Sequence, residues 1–159
     1  MFDDLRELYQ EMILDHGKNP RNFGRPEAVN HEAEGDNPMC GDHIHVYLLV
    51  GDDGRIGDVK FDGRGCAISV ASASLMTGVV KGRTVAEAEA LFHDFQEMCT
   101  TDPGDNGDGG AFAQIDPDAV EKLRVMAGVR QYPMRVKCAT LAWHTMNAAL
   151  EGDRAATTE

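Results

Sequence analysis

The sequence predicts one domain that combines amphipathic helices with a β-hairpin. Near the start, apolar residues recur at the i, i+3, i+4, i+7 and i+8 positions of one helix face, namely Leu5, Leu8, Tyr9, Met12 and Ile13. The turn residues Gly51-Asp52-Asp53-Gly54 then separate two strand-like runs, at 44–50 and 55–62. At 159 residues the chain is long enough for one domain with a sizeable buried core.

Glycine and proline mark the ends of elements in the first half of the chain. Breakers between His16 and Pro20 end the first helix, and residues 27–39 are predicted to form a loop. After the hairpin, a tight corner leads into the small apolar run 67–76. This run predicts a closely packed core helix that ends near Gly82.

Capping signals predict two further helices. Thr84 and Glu87 form a capping box, and the helix that they open should end near Cys99. A glycine-rich loop at 102–110 follows, and Asp116-Pro117 caps a short helix.

The last segments complete the predicted domain. Residues 132–137 are predicted to be extended, with Cys138 opening the final helix. We expect a single domain over residues 1–152 and a flexible tail over residues 153–159.

The charge balance limits the classes of partner. The formal net charge is −12 at pH 7. Such an acidic surface repels phosphate backbones and anionic lipid, so we predict neither nucleic acid nor a membrane as a partner. A protein partner with a basic patch fits the charge better.

The start of the chain predicts a cytoplasmic protein. Residues 1–7 are acidic and lack the basic region and apolar core of a signal peptide, and no apolar run approaches the length of a membrane span. Thiols stay reduced in the cytoplasm, so the four cysteines favour metal or thiol chemistry over disulfides.

One short motif combines a thiol with a carboxylate. The segment Asn37-Pro38-Met39-Cys40-Gly41-Asp42 directly precedes the strand pattern that begins at Ile44. If this segment is extended, Cys40 and Asp42 point the same way, because side chains two residues apart in a strand share a face. We interpret the segment as a loop that holds a reactive group at the entrance to a rigid element.

Two more cysteines, Cys66 and Cys138, are each predicted to lie just before a helix. The positive end of a helix dipole favours thiolate over thiol at such a position. Together with Cys40 and Asp42 they would make a four-coordinate site of three sulfurs and one oxygen, which suits zinc. Their separations of 26 and 72 residues match no zinc ribbon or finger, so buried cysteines that act as small apolar side chains are the alternative.

Four segments resemble the U-type iron–sulfur cluster assembly proteins, a family that comprises the IscU and NifU-like scaffolds and the SufU branch. In chain order these segments are Ile13-Leu14-Asp15-His16-Gly17-Lys18-Asn19-Pro20-Arg21-Asn22, Asn37-Pro38-Met39-Cys40-Gly41-Asp42, Gly65-Cys66-Ala67-Ile68-Ser69 and Val136-Lys137-Cys138-Ala139-Thr140-Leu141-Ala142. The resemblance implies an α+β fold with a small three-stranded antiparallel sheet packed with helices, the SufE/NifU-like fold. It also implies a metal site at one end of the sheet.

The family positions give roles to the four candidate side chains. The resemblance implies that Cys40, Asp42, Cys66 and Cys138 are zinc ligands, and that Cys40 is also the thiol that carries a persulfide. Cys99 matches no ligand position of the family, and we interpret it as a helix-end thiol.

Two features resemble the SufU branch in particular. Scaffolds of the IscU type carry His immediately before the third motif cysteine, whereas this chain has Lys137. The long segment between Cys66 and Cys138 looks like the SufU insertion, at residues 99–118. This likeness implies a zinc-dependent sulfur acceptor, a sulfurtransferase type of protein rather than a multiple-turnover enzyme on a small substrate. Its partners would be a SufS-like cysteine desulfurase and a downstream Fe–S scaffold or apo-protein acceptor.

Three alternatives remain open from the sequence. The first is a scaffold on which an Fe–S cluster is assembled, with iron or a transient cluster bound by the same cysteines. The second is a purely structural zinc, which an aspartate ligand on a loop makes less favourable. The third is a Cys–His hydrolase that uses His43 or His45, although their alternation with apolar residues predicts the outer face of a strand.

Overall fold

The structure, a computed structural model, describes residues 2–100, 122–126, 129, 132–153 and 155–157. The elements in chain order are α1 (Phe2–Lys18), β1 (His31–Asn37), β2 (Asp42–Val50), β3 (Ile56–Arg64), α2 (Ala67–Val80), α3 (Val85–Thr100), α4 (Pro133–Leu150) and β4 (Ala155–Thr157). Within these described ranges, no helix has the length and apolar character that crossing a membrane requires.

The strands form one sheet in the order β3-β2-β1-β4. β1 and β2 pair antiparallel, from His31 opposite Leu48 at one end to Asn37 opposite Asp42 at the other. β3 pairs antiparallel with the other edge of β2, and β4 pairs parallel with β1. The loop that carries Cys40 therefore lies at the end of the sheet that the Asn37–Asp42 pair closes.

Helix α4 lies at the centre of the packing. It contacts β1, β2, β4, α2 and α3, while α2 also packs against α1 and β3. The largest fully buried side chains come from the sheet and the helices alike: Trp143, Phe61, Phe95, Ile44, Leu48, Ile56, Met76, Leu91, Leu123, Met126 and Leu141. An α+β core therefore forms between the helices and one face of the sheet.

Local signals in the middle of the chain predict the observed elements. The N–H of Thr84 donates to Glu87 Oε1 at 3.0 Å, and the N–H of Glu87 donates to Thr84 Oγ1 at 3.1 Å, which is the reciprocal pattern of a capping box. The β2–β3 turn closes with the N–H of Gly54 donating to the carbonyl of Gly51 at 3.0 Å. The capping box and the hairpin are both confirmed.

The end of α1 is attached to α2 by polar contacts. His16 Nδ1 lies 2.7 Å from Ser74 Oγ, and the N–H of Arg21 donates to the same oxygen at 2.8 Å. Asn22 Nδ2 donates to Thr77 Oγ1 at 3.0 Å. The run from His16 to Asn22 thus has a packing role in addition to ending the helix.

The prediction of a loop over residues 27–39 is wrong, because His31–Asn37 form strand β1. This strand has no apolar alternation. Small residues face the helices instead, and acidic residues face outwards. A Cβ at Gly35 would overlap Thr145 Oγ1 of α4, so the absence of a side chain at this position is what allows the helix to approach this closely.

The predicted extended segment 132–137 is also wrong, since α4 begins at Pro133. Proline is favourable in the first turn of a helix, because the N–H that it lacks would have no intrahelical partner there. Cys138 therefore lies in the second turn of α4 instead of preceding the helix.

The sheet has one strand more than the three that were predicted. β1, β2 and β3 form the predicted three-stranded antiparallel sheet, and Ala155–Thr157 add β4 to its edge. These three residues belong to the segment predicted to be a flexible tail, so pairing with β1 corrects that expectation for them.

The single domain over residues 1–152 stays a prediction. The loop at 102–110, the cap at Asp116-Pro117 and most of the segment 99–118 lie outside the described residues.

Candidate metal centre

A tight turn between β1 and β2 carries Cys40. The backbone N–H of Cys40 donates to the carbonyl of Asn37 at 3.2 Å. Pro38 occupies the second position of this turn, which its fixed φ favours. Gly41 has a φ of 70°, in the left-handed region that glycine adopts most readily. The turn leaves Cys40 half-buried, next to Met39, which is exposed.

Asp42, the first residue of β2, is directed into the protein. It is 2% exposed, and its Oδ1 accepts the backbone N–H of Cys66 at 2.9 Å. Its Oδ2 is buried and has no hydrogen-bond partner in the part of the chain that the structure describes. Cys66 caps the start of α2, as predicted. A buried carboxylate oxygen without a partner is unfavourable, which indicates a place for a cation.

Cys138 is fully buried in α4. Its Sγ lies 3.4 Å from the Sγ of Cys40 and 3.6 Å from Nδ2 of Asn37. Because the dipole effect falls off within the first turn, a position in the second turn gives this thiol little help from the helix start. The expectation that a helix N-terminus activates Cys138 is therefore wrong.

The surroundings of Cys138 favour its neutral form. Burial raises the pKa of the Cys138 thiol, and the neighbouring Cys40, Asp42 and Cys66 side chains raise it further. Without a cation this thiol stays protonated at neutral pH. Metal coordination reverses the preference, because a metal-bound cysteine is deprotonated.

Three of the four predicted ligands converge on one point. The ligand atoms of Cys40, Asp42 and Cys138 all lie within 4.8 Å of one another. Cys66 is outside this group of three, but its thiol is close enough to raise the pKa of Cys138, and its N–H binds Asp42. In the described ranges no other group of His, Cys, Asp and Glu side chains is as compact.

The chemistry of these donors fits a metal. Three thiols and one carboxylate can complete the tetrahedral coordination that zinc prefers. The unpaired Oδ2 of Asp42 and the adjacent thiols of Cys40 and Cys138 are the features that a bound cation would satisfy. Thiolates also bind the iron of Fe–S clusters, so the same side chains fit that cargo.

Cys99 is not a member of this group. It lies near the end of α3 and is fully buried in the hydrophobic core, together with Leu91 and Phe95 of the same helix. Its position agrees with the prediction of a helix-end thiol.

His43 and His45 lie on the outer side of β2, as their alternation predicts. His43 Nδ1 lies 2.6 Å from Asp36 Oδ1, and this hydrogen bond raises the pKa of His43. His45 Nδ1 lies 3.5 Å from Glu34 Oε1. Both rings thus pair with carboxylates of β1, and these contacts do not support a Cys–His catalytic pair.

Three residues around the ligands were missed by the sequence analysis: Asn37, Gly65 and Ser69. A Cβ at Gly65 would lie 2.7 Å from Asp42 Oδ1, so glycine makes room for this carboxylate. Ser69 is 1% exposed, and its Oγ has no partner among the described residues. A glycine before a cysteine at a tight corner is a signal that could have indicated such close approach. The role of Asn37 depends on the unpredicted strand β1.

Comparison with known proteins identifies relatives over most of the chain. The profile of the family described as NifU-like N terminal domain matches residues 8–139. The zinc-dependent sulfurtransferase SufU of Bacillus subtilis is 38% identical over 145 residues, which cover 90% of this chain and 89% of that protein. The iron-sulfur cluster assembly scaffold protein IscU of Thermotoga maritima is 38% identical over 144 residues, which cover 91% of this chain and 93% of that protein.

Solved structures share the fold. A crystal structure of a proposed iron-sulfur cluster assembly scaffold protein for the SUF system of Fervidobacterium islandicum matches with a TM-score of 0.75 at 34% identity, covering 91% of this chain and 98% of that one. The N-terminal part of a NifU-like protein of Brucella abortus matches with a TM-score of 0.74 at 22% identity, covering 92% of this chain and 94% of that one, a likeness of fold alone. These matches confirm the predicted SufE/NifU-like α+β fold.

Proposed function

The chain belongs to the NifU-like N-terminal domain family, and we propose that it works in iron–sulfur cluster assembly as a zinc-dependent sulfur acceptor. The sulfur donor is the persulfide of a cysteine desulfurase. The recipient is a downstream Fe–S scaffold or an apo-protein. Since the chemistry needs reduced thiols, we place the protein in the cytoplasm.

The observation that carries this proposal is the grouping of Cys40, Asp42 and Cys138 around one point, with Cys66 beside them. We assign all four side chains as zinc ligands. Three come from positions that packing fixes: Asp42 is buried in β2, Cys66 caps α2, and Cys138 is buried in α4. Cys40 comes from a turn and is half-buried.

Zinc, when bound, supplies a positive charge that keeps these cysteines as thiolates at neutral pH. Cys40 is then the acceptor, because it is the ligand on the turn and the one next to exposed Met39. Its thiolate attacks the outer sulfur of the desulfurase persulfide. The new S–S bond forms on Cys40 as the donor's S–S bond breaks, and the desulfurase cysteine leaves as a thiolate, so no oxidant or reductant is consumed.

The second candidate function is that of a scaffold on which iron and sulfide are assembled and passed on. It is favoured by one observation, that the chain is 38% identical to a protein named as an IscU scaffold. In this case iron is cargo, and the same cysteines bind it. The chain is equally similar, at 38% identity, to the zinc-dependent sulfurtransferase of B. subtilis, so identity does not separate the two functions. The presence of Lys137 before Cys138 supports the sulfur-acceptor function.

Metal analysis of the purified protein separates these two functions. The full chain is purified in air, and zinc and iron are measured per chain together with the visible absorbance spectrum. We expect one zinc per chain and no sulfur-to-iron charge-transfer bands. Stoichiometric iron with such bands, and no zinc, would favour the scaffold. The Cys138→Ala variant serves as the control, because it should lose most of the zinc.

A further inference from the structure

Asn37 occupies a buried position at the end of β1. The residue is 0% exposed and lies directly opposite Asp42 in the β1–β2 pairing. Its backbone carbonyl accepts the N–H of Cys40 and so closes the turn that carries this cysteine. The backbone of Asn37 therefore contacts two of the proposed ligands, Cys40 through the turn and Asp42 through the strand pairing.

The side chain of Asn37 is connected to a third ligand. Its Nδ2 donates to the Sγ of Cys138 at 3.6 Å, a distance suited to a hydrogen bond with sulfur. Its Oδ1 is buried and has no hydrogen-bond partner among the described residues. A buried amide with one unsatisfied atom costs stability, so packing alone gives no reason for asparagine at this place.

A hydrogen bond to sulfur is strongest when the sulfur is a thiolate, because the acceptor is then charged. The amide of Asn37 would thus contribute most in the metal-bound protein, where Cys138 is deprotonated. A donor aimed at a metal ligand also fixes the ligand's orientation and reduces its electron donation to the metal.

We propose that Asn37 is a positioning residue of the metal centre, which holds the Cys138 thiolate in place and tunes its bond to the metal through the Nδ2–Sγ hydrogen bond. This inference rests on the proposed function. It also explains how the site can keep its metal during sulfur transfer. When Cys40 leaves to accept sulfur, the hydrogen bond from Asn37 keeps Cys138 in its ligand position.

The test uses cobalt(II) as a spectroscopic substitute for zinc in the full chain. Asn37→Leu removes the donor and keeps the same number of non-hydrogen atoms and the same branching, while Asn37→Ala removes it without risk of overpacking. Asn30→Leu is the matched control. Asn30 precedes the other end of β1, and its side chain makes hydrogen bonds of 2.8 Å with the N–H and the carbonyl of Val50. For each protein we would record the sulfur-to-cobalt charge-transfer band, the zinc affinity by chelator competition, and the thermal unfolding curve.

We expect both Asn37 variants to bind cobalt with the charge-transfer band moved to lower energy, because a thiolate without its hydrogen bond is a stronger donor. Their zinc affinity should nevertheless fall by about 10- to 100-fold, because the loss of the contact that holds Cys138 in its ligand position outweighs the gain in donor strength. Asn30→Leu should lose stability only. The position of the band reports on the folded, metal-bound protein, so partial unfolding of a variant does not imitate the effect.

Two outcomes would contradict the inference, and they differ in whether the proposed function fails as well. If the unaltered protein binds cobalt and zinc tightly and both Asn37 variants give the same band and affinity, Asn37 has no positioning role and the proposed function is unaffected. If the unaltered protein itself binds neither metal through its thiols, the proposed function fails and the inference fails with it.

Discussion

Among single residues, Gly65 is important for the proposed metal centre although it is not one of the proposed ligands. Gly65 lies against Asp42, and the backbone N–H of the next residue, Cys66, binds the carboxylate of Asp42. A side chain at position 65 would occupy the space that this carboxylate uses. The position of the Asp42 carboxylate, the proposed oxygen ligand, thus depends on the absence of a Cβ at position 65.

Gly65→Ala should weaken zinc binding by about tenfold or more, in the range seen for residues that support metal ligands. The added Cβ would lie 2.7 Å from Asp42 Oδ1, so the carboxylate has to move. Zinc affinity measured by chelator competition checks this. Gly78→Ala is the control, since a Cβ there meets nothing within 4 Å. It should leave zinc affinity unchanged and stabilise α2 by about 0.5–1 kcal/mol. Equal affinity in both variants would mean that Asp42 is not positioned by Gly65.

Cys99→Ala tests the ligand assignment by removing the one cysteine that is not a proposed ligand. The side chain of Cys99, on α3, is buried in the hydrophobic core of the protein. The variant should therefore keep the full zinc content and should stimulate the activity of a cysteine desulfurase fully. It should lose about 1 kcal/mol of unfolding free energy, the value expected for one buried group of this size. The measurements are zinc per chain and urea unfolding. Loss of zinc from a folded variant would show that the ligand set is wrong.

The residues of the site could be predicted only in part. The thiol–carboxylate motif and the position of Cys66 before a helix follow from local patterns, and the convergence of Cys40, Asp42 and Cys138 agrees with the prediction. The contribution of Asn37 could not be predicted, because it requires the pairing of β1 with β2 and the position of Cys138 within α4.

At the scale of elements, the attachment of α1 to α2 includes a titratable group. His16 accepts or donates a hydrogen bond with Ser74 in a half-buried position. Burial, followed by the charge of Arg21, lowers the pKa of His16 below its usual value of 6.5. The unfolded chain therefore binds a proton at this residue more readily than the folded chain does.

His16→Gln should remove one part of the acid sensitivity of the protein. Since the folded-state pKa is lowered, the contribution of neutral His16 to stability is present above about pH 6.5 and is lost as the pH falls below that value. Urea unfolding at about pH 7.5 and about pH 5.5 measures the loss for each protein, and the variant should lose less than the unaltered chain. His93→Gln, at a side chain that is 73% exposed, should lose as much as the unaltered chain. If His16→Gln behaves like that control, His16 does not couple folding to pH.

The elements that were predicted correctly have strong local signals, and the ones that were missed do not. The capping box of α3 and the glycine turn of the hairpin are local. The sequence of strand β1 is polar in character because its inward-facing residues are small. They are small because α4 packs closely on them. The strand is therefore specified by a tertiary contact that no local pattern reveals.

At the scale of the whole molecule, the proposed ligands connect segments that are distant in the sequence. Cys40 and Asp42 belong to the β1–β2 turn, Cys66 to the start of α2 and Cys138 to α4. A metal bound by all four would add its binding energy to the folding energy, because the unfolded chain does not present these ligands together.

Removal of zinc should therefore lower the melting temperature by about 10 °C or more. At a free zinc concentration about 1,000-fold above Kd, binding stabilises the folded state by about 4 kcal/mol, and each kcal/mol shifts Tm by about 2–4 °C for a chain of this size. Melting curves are recorded before and after treatment with a chelator, with metal removal verified by elemental analysis. The Cys138→Ala variant should melt at the lower temperature with or without chelator. An unchanged curve for the zinc-free unaltered chain would contradict a stabilising role of the metal.

The topology of the sheet was predicted mainly through family resemblance. The residues alone predicted one hairpin, whereas the resemblance implied the third antiparallel strand. The parallel strand β4 was predicted by neither, because a three-residue strand depends on the edge of β1 that it pairs with. The elements with strong capping and turn signals thus follow from local sequence, whereas strands β1 and β4 and the order of strands depend on contacts between distant segments.

The role of Cys40 as the sulfur acceptor can be tested by mass spectrometry of the chain and its cysteine variants after incubation with a cysteine desulfurase and cysteine. Zinc content is measured on the same samples. We expect the unaltered chain to gain the mass of added sulfur, and Cys40→Ala to gain none while keeping appreciable zinc, because Asp42, Cys66 and Cys138 still bind it. Cys66→Ala and Cys138→Ala should lose most of the metal and, with it, sulfur acceptance, and Asp42→Ala should weaken both. A sulfur adduct that persists in Cys40→Ala and disappears only in another cysteine variant would show that Cys40 is not the acceptor.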